Sequence, residues 1–470
     1  MKQIAIVGGG VTGLSAAFYL QQARRTGAPL KYALFEASNR LGGVLLSHKV
    51  AGCLVEAGAD SFLSEKPWAS DLCRDLGIGD QLIGSNDAQR KTFVVQGGKL
   101  VALPAGMVLF VPTDLAEMEK SQLFSAAGKQ RIVRETLMSP QEPASDDVAV
   151  SDFVERHFGT EMLERVADPL LAGIYGGDVH KLSMRSVMPR MVHLEQQAGS
   201  LIRALRTTTS KTSPQAVFTS LRRGMQQLVE GVAAQLEPGT IRMRDEVKSL
   251  EHMAGTWRLR SQAGAQDFDQ VILVSPAHAA ARLLRSVPGR LASLLGRIEY
   301  SSSVAVTMGY APGGSDTTKL RALEGFGFLS PHVEGRRLLA CTFVHNKFPQ
   351  RVADEHALLR VFYGGTRDKG VLQLCDEEIV RLASRELKAI LKFRAEPQFV
   401  HVHRWPLAMP QYNLGHGDLL RQIEIEAAEL PGLLLTGSAF RGLGVSDCVR
   451  QGREAALQVI TKLEDAAKAT

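Results

Sequence analysis

The chain has 470 residues, 45% of them hydrophobic, with mean hydropathy near zero, which is enough apolar surface for two or three buried cores in a soluble globular protein. Its formal charge of +6 is spread over scattered Lys and Arg with no basic block and no interleaved aromatics, which argues against a nucleic-acid partner. Five cysteines at wide spacings, with no C-x-x-C pair and no histidines at zinc spacing, exclude a disulfide scaffold and a zinc module and fit reduced thiols in a cytoplasmic compartment.

Ile4 to Val7 reads as a buried parallel strand, and Leu14 to Gln22 carries apolar residues at helical spacing. Between them, Gly8-Gly9-Gly10-Val11-Thr12-Gly13 has the G-x-G-x-x-G spacing. Such a turn needs glycine because a side chain would keep a phosphate away from the N–H groups at a helix start. A second apolar run, Tyr32 to Phe35, ends in Glu36, where a dinucleotide fold places the acid that binds a ribose diol, with Ala37 beside it. A turn that merely packs leaves Glu36 unexplained. Just beyond, Arg40-Leu41-Gly42-Gly43 completes an E-x-x-x-R-x-G-G arrangement that resembles the FAD-dependent amine oxidase and phytoene desaturase superfamily. That resemblance implies FAD rather than NAD, with Arg40, Gly42 and Gly43 against the pyrophosphate.

The loop Glu56-Ala57-Gly58-Ala59-Asp60-Ser61-Phe62 and a helix near Pro67 to Leu76 follow, then strands within Thr92 to Val101. The uncharged stretch Leu100 to Pro112 is 13 residues long and broken by Pro104 and Gly106, short of the roughly 18 to 20 that a spanning helix needs. It is expected to line an apolar pocket, with contact at a membrane surface as the alternative. The start of the chain enters a strand without the basic leader and apolar core of a signal peptide, so export is not expected.

Residues 114–206 change character: Leu115 to Met138, Val150 to Leu171 and Ser183 to Leu205 are long amphipathic patterns, read as a helical insertion. The insertion carries a net −3 and the remainder +9, the wrong bias for a polybasic membrane anchor. A polar linker at 207–216 closes it. A helix over Gly224 to Leu236 and short strands at Thr240 to Met243, Val247 to Glu251, Thr256 to Arg260 and Gln270 to Val274 return to the nucleotide domain. Ser303 to Tyr310, Leu338 to Phe343 and Leu358 to Tyr363 read as strands before a helix from Asp376 to Lys392. Leu433 to Thr436 is a buried strand, and a second glycine turn, Gly442-Leu443-Gly444-Val445-Ser446-Asp447, precedes a last helix from Asp447 to Leu463.

The reading is an α/β chain with a Rossmann-like FAD-binding domain, a mixed-sheet substrate domain and an inserted helical domain. The FAD-binding parts are residues 1–75, 217–290 and 431–470, the substrate domain 76–113 and 298–430, and the helical insertion 114–206.

Four stretches carry a closer resemblance. They are Gly8 to Leu14, Glu56 to Phe62, Pro169-Leu170-Leu171-Ala172-Gly173-Ile174-Tyr175-Gly176-Gly177-Asp178 with Lys181-Leu182-Ser183 after it, and Phe440 to Cys448. Together they resemble the FAD-dependent protoporphyrinogen and coproporphyrinogen oxidases of haem synthesis. By that resemblance Gly8, Gly9, Gly10, Val11, Thr12 and Gly13 hold the pyrophosphate, Glu36 the ribose, and Ala57, Gly58, Ala59, Asp60 and Ser61 run beside the flavin. Val247 meets the adenine through its backbone, and Trp405 with Gly444, Val445 and Ser446 flanks the isoalloxazine. Gly173 and Ile174 lie over the macrocycle, with the Gly173 carbonyl receiving a pyrrole N–H. For the glycines at 173, 176 and 177 the plain alternative is that they only end a helix.

Lys66 aligns with a basic residue at the pocket mouth and is expected to pair with a propionate, a solvated surface lysine being the alternative. Arg90, Lys91, Arg185, Arg404 and Arg441 are further candidates for propionates, although Arg90-Lys91-Thr92 is shifted from the arginine position of plant mitochondrial members. No side chain is assigned a catalytic role because the cofactor supplies the chemistry, and no metal is expected because the pair His401 and His403 lacks a further ligand at useful spacing. The resemblance implies six-electron oxidation of a porphyrinogen in three hydride transfers, with molecular oxygen as acceptor and hydrogen peroxide released. It allows weak peripheral contact at the inner face of the cell membrane and handover of product to a ferrochelatase. The rival readings are another flavin oxidoreductase, either an amine oxidase or a carotenoid desaturase, and a non-catalytic porphyrin carrier.

Overall fold

The computed structural model describes residues 1–140, 146–208, 215–253 and 255–468; most of the polar linker expected at 207–216 lies outside them. A five-stranded parallel sheet is drawn from three distant parts of the chain, in the order Ile241–Met243, Leu30–Glu36, Lys2–Val7, Gln270–Leu273, Leu433–Leu435. Lys2–Val7 sits in the middle of this sheet, which is why its apolar run is continuous rather than alternating. The first helix, Val11–Arg25, the helix Gln226–Gln235 and the last helix, Val445–Lys468, cover one face through Leu14, Phe18, Leu228, Val449 and Ala456. A three-stranded antiparallel sheet (Val247–Met253, Thr256–Ser261 and Gly264–Phe268) and the helices Ala277–Leu283 and Leu291–Gly296 cover the other.

A second, seven-stranded mixed sheet has the order Phe399–Pro410, Tyr300–Tyr310, Ala357–Gly364, Ala340–Phe343, Gly327–Leu329, Thr92–Gln96, Lys99–Ala102, with only the Gly327–Leu329 and Thr92–Gln96 pair parallel. Helix Asp376–Leu391 buries Ile379, Leu382, Leu387 and Ile390 on it. Between Trp405 and Met409 the edge strand bulges against Ser303 and Ser301, and Leu407 is held there at φ 45 with half its surface exposed.

The three long amphipathic patterns do not form three long helices. The first splits into Leu115–Lys120 and Ala126–Arg134, where Ser125 caps the second piece by accepting a hydrogen bond from the Gly128 N–H at 3.0 Å. The second breaks at Gly159, φ 85, between Val150–Phe158 and a run that resumes as Asp168–Tyr175. The third becomes Met184–Val187, Pro189–Ala198 and Leu201–Thr208, divided by Pro189 and by Gly199, where a Cβ would lie 2.1 Å from the Ser139 carbonyl carbon. The last helix also starts two residues earlier than expected, so Gly444 abuts its first turn. Of the stretch Leu100 to Pro112, Phe110 and Val111 are buried against the helical region, and Leu109 stands exposed at φ 57. No helix among the described residues is long and apolar enough to cross a membrane.

Candidate cofactor and substrate site

The first glycine turn is shaped by contacts that glycine alone permits. A Cβ on Gly13 would lie 2.0 Å from the Gly8 carbonyl oxygen, and one on Gly9 would lie 2.9 Å from Glu36 Oε2. Gly10 differs: nothing lies within 4 Å of its would-be Cβ, and its backbone is extended at φ −71, ψ 176. Space is thus left at Gly10 directly before Val11 and the buried Thr12, where the first helix presents unpaired N–H groups. Glu36 accepts the Gly9 N–H on one carboxylate oxygen and the Ser38 N–H on the other, each at 2.8 Å, and Ala37 is exposed beside it. Gly42 donates its N–H to the Gly9 carbonyl at 2.8 Å, and Gly43 approaches the Gly10 Cα. The Arg40 guanidinium folds onto the carbonyls of Leu41, Gly43 and Leu45 and lies 5.8 Å from the Trp405 ring. Val247 opens its strand just after Asp245, whose N–H donates to the Glu36 carbonyl at 3.0 Å.

Ala57 to Ser61 form a strip clamped from two sides. A Cβ on Gly58 would lie 1.8 Å from the Val44 carbonyl oxygen, so glycine lets the strip pass. From the seven-stranded sheet, Trp405 Nε1 donates to the Ala57 carbonyl at 2.8 Å, and Arg360 donates to the carbonyls of both Ala57 and Gly58. With those carbonyls turned to the sheet, the N–H groups of Gly58 and Ala59 have no partner among the described residues. Burial works against the Asp60 charge, but Lys347, Arg360 and Arg351 outweigh it and hold the carboxyl below the usual carboxylate range.

The two ends of the chain meet here. Ser15 Oγ donates to the Val449 carbonyl at 2.8 Å, and Gly452 passes so close to the first helix that a Cβ would lie 2.2 Å from the Thr12 carbonyl oxygen. Gly442, φ 107, donates its N–H to Tyr412 Oη at 2.9 Å. Gly444, Val445 and Ser446 lead into the last helix, and Ser446 Oγ donates to the Lys66 carbonyl at 3.1 Å. Lys66 Nζ pairs with Asp447 at 2.7 Å, so its ammonium is engaged within the protein. Cys448 is buried in this helix, its thiol pushed up to about 11 by burial.

Helix Asp168–Tyr175 ends at Gly176 in the left-handed conformation. Gly176 therefore does the terminating, and capping does not explain glycine at 173. Gly173 and Ile174 are exposed, with nothing within 4 Å of a Gly173 Cβ, and no N–H among the described residues closes on the Gly173 carbonyl. Arg367 braces the helix across its length, pairing with Asp168 at its start at 2.8 Å and with Asp178 beyond its end at 3.3 Å. Gln411 Nε2 donates to the Tyr175 carbonyl at 2.9 Å, while the next residue, Tyr412, donates its hydroxyl to the Ser438 carbonyl at 2.6 Å and accepts the Gly442 N–H. One dipeptide thus joins the open end of this helix to the second glycine turn.

Of the expected propionate cations, Lys91 pairs with Glu324, Arg404 with Asp376, and Arg441 with Glu424, while Arg185 donates to the Asp146 carbonyl and Arg90 is exposed. His401 and His403 stack with His48 at 5.9 and 5.2 Å between ring centres, and no cluster among the described residues has the make-up of a metal site. Sequence reasoning missed Arg360, Lys347, Arg351 and Gln411. The one available signal was a charge in the apolar strand Ala357-Leu-Leu-Arg-Val-Phe-Tyr.

The sequence pattern described as flavin containing amine oxidoreductase matches residues 11–460. The coproporphyrinogen III oxidase of Bacillus subtilis (strain 168) is 33% identical over 98% of this chain and 98% of its own length. The chloroplastic protoporphyrinogen oxidase 1 of Arabidopsis thaliana is 29% identical over 97% of this chain and 87% of its own. A crystal structure from Exiguobacterium sp. 255-15, provisionally assigned as a protoporphyrinogen oxidase, superposes with a TM-score of 0.87 at 29% identity, covering 98% of this chain and 99% of that one. With its glycine turns brought together and this full-length match, the chain belongs to the flavin containing amine oxidoreductase family.

Proposed function

We propose that the protein oxidises a porphyrinogen, coproporphyrinogen III and/or protoporphyrinogen IX, to the porphyrin in haem synthesis, with FAD as its flavin. The observation that carries the reading is the Gln411-Tyr412 bridge, which sets the open Gly173–Ile174 end of a helix beside the glycine turn of the last helix. The similarity to proteins named coproporphyrinogen III oxidase and protoporphyrinogen oxidase supports the substrate class.

The residues present fit FAD. The open approach to the Gly10 backbone suits a pyrophosphate, both Glu36 oxygens keep lone pairs for a ribose diol, and the N–H groups of Gly58 and Ala59 face away from the sheet. We divide the chain so that 1–75, 217–290 and 431–470 hold the cofactor, 76–113 and 298–430 carry the substrate sheet, and 114–206 is the helical insertion. The five strands of the parallel sheet come from the first group.

Held by Gly8 to Gly13, Glu36 and the Ala57–Ser61 strip, FAD would supply two-electron chemistry: acceptance of a hydride from a meso carbon, with a proton lost from a pyrrole nitrogen, three times per macrocycle, and oxygen as final acceptor giving hydrogen peroxide. The chain orients and shields. Gly173 offers its carbonyl to a pyrrole N–H, Ile174 gives an apolar surface to the ring, and the first N–H groups of the last helix favour negative charge on a reduced ring. We assign Lys66, whose ammonium is shared with Asp447, to a propionate at the pocket mouth. We place the enzyme in the cytoplasm, with at most weak peripheral contact at the membrane's inner face and handover to a ferrochelatase.

The experiment compares, under air, porphyrin fluorescence from both porphyrinogens against autoxidation controls, and peroxide from a panel of amines. Fluorescence rising well above control supports the reading, whereas peroxide from an amine alone shows the amine-oxidase alternative.

A further inference from the structure

Beneath the Ala57–Ser61 strip lies a cluster of buried charges. Arg360 and Arg351 are 5% and 2% exposed, and the Lys347 side chain is 12% exposed. Arg351 pairs with Glu56 at 3.0 Å, and Lys347 pairs with Asp60 at 3.1 Å while reaching Ser61 Oγ at 3.4 Å. Glu56 is further held by the Met225 N–H at 2.9 Å and by Ser47 Oγ at 2.7 Å. Arg360 stacks on Phe362 and spends its donors on the two strip carbonyls rather than on a carboxylate, and its Nε, like that of Arg351, is buried without a partner among the described residues.

Three cations thus face two carboxylates in a site largely shut off from water, where an unbalanced charge is costly unless something compensates it. The strip that Arg360 grips is the one assigned to the flavin in the reading above. We propose that Arg360 is a positioning residue that fixes the Ala57–Gly58 carbonyls and leaves one positive charge under the flavin edge, so that the reduced, anionic ring is favoured over the oxidised one. This rests on the flavin reading above. It assigns to the buried cluster part of the driving force for accepting a hydride, alongside the N-terminus of the last helix.

The test uses the FAD-loaded protein and three measurements on the wild type, R360M and R360K: thermal melting, FAD dissociation constant and flavin midpoint potential. R360M removes the charge, and the equilibrium constant for two-electron reduction is expected to fall about tenfold, roughly 30 mV. Both carbonyl contacts come from the single nitrogen Nη2; R360K keeps the charge, but its shorter side chain stops short of that position, so FAD binding weakens while the potential stays at the wild-type value. An unchanged potential in R360M, or an equal drop in R360K and R360M, overturns the proposal. Should R360M not fold, R360Q decides in its place, because its amide keeps a donor on the strip side without the charge: a lower potential supports the proposal and an unchanged one overturns it. A wild type that binds no FAD would instead remove the flavin reading itself.

Discussion

Substituting Gly10 by alanine separates a cofactor role from a folding role. The backbone there is extended, at φ −71 and ψ 176, and a Cβ meets nothing within 4 Å, so alanine fits without strain. Removing a glycine's freedom from the unfolded chain is worth about 0.4–1 kcal/mol, so the flavin-free protein should melt at the wild-type temperature or slightly above it. The added methyl, however, fills the space over the helix start that a pyrophosphate needs. Losing one or two charge-assisted hydrogen bonds, each worth about 1.5–3 kcal/mol, predicts a loss of FAD affinity on the order of a hundredfold. Titration of flavin-free protein by quenching of flavin fluorescence, alongside thermal melts, reads both effects. Gly13→Ala is the control: its Cβ would lie 2.0 Å from the Gly8 carbonyl oxygen, so it should destabilise the flavin-free fold by about 3 kcal/mol. Gly10→Ala binding FAD as tightly as the wild type, or melting as low as Gly13→Ala, would refute the reasoning.

Gly452→Ala should lower the melting temperature of the flavin-free protein, with a cost of about 2 kcal/mol or more, because its Cβ would lie 2.2 Å from the Thr12 carbonyl oxygen and must part the first and last helices; unchanged melting would contradict the close crossing. Ile174→Asp, at a side chain 39% exposed, should leave melting untouched yet raise KM for coproporphyrinogen by roughly tenfold or more, since it puts a carboxylate where an apolar ring face should rest. Burial, with His48 and His401 stacked close by, lowers the pKa of His403 to about 4, and burial lowers His345 and His416 likewise to about 4. The folded state therefore favours their neutral forms, so stability is full above the unfolded value of about 6.5 and falls as pH drops from there toward 4, where the folded groups begin to bind protons. Melts from pH 7 to 4 should show that decline, with a shallower slope in His403→Gln; an identical slope would contradict it.

The glycine turns, Glu36 and the strand-helix-strand opening were legible because each depends on neighbours in sequence: a turn's φ, an approach within one loop, an acid at a fixed offset. The breaks in the helical region were written in Ser125, Gly159, Pro189 and Gly199, but the amphipathic period ran across them and hid the boundaries. Arg360 and Gln411 could not be read in the same way. Their partners, Gly58 and Tyr175, lie 302 and 236 residues away, and only the folded sheets bring them together. The pairing of Lys66 with Asp447 was not legible, and neither was the engagement of Lys91, Arg404 and Arg441 with Glu324, Asp376 and Glu424. Gly452 shows the opposite limit, a glycine with a steric reason that sits inside a regular helix and belongs to no motif.

The most direct test of the central claim is an anaerobic titration of the FAD-loaded protein with coproporphyrinogen III and protoporphyrinogen IX, recording flavin absorbance and porphyrin fluorescence together. The account predicts that at least one of them bleaches the flavin, that three flavins are reduced for each porphyrin formed because six electrons leave in pairs, and that admitted oxygen restores the yellow colour with release of peroxide. A flavin that stays oxidised in the presence of both porphyrinogens would contradict it.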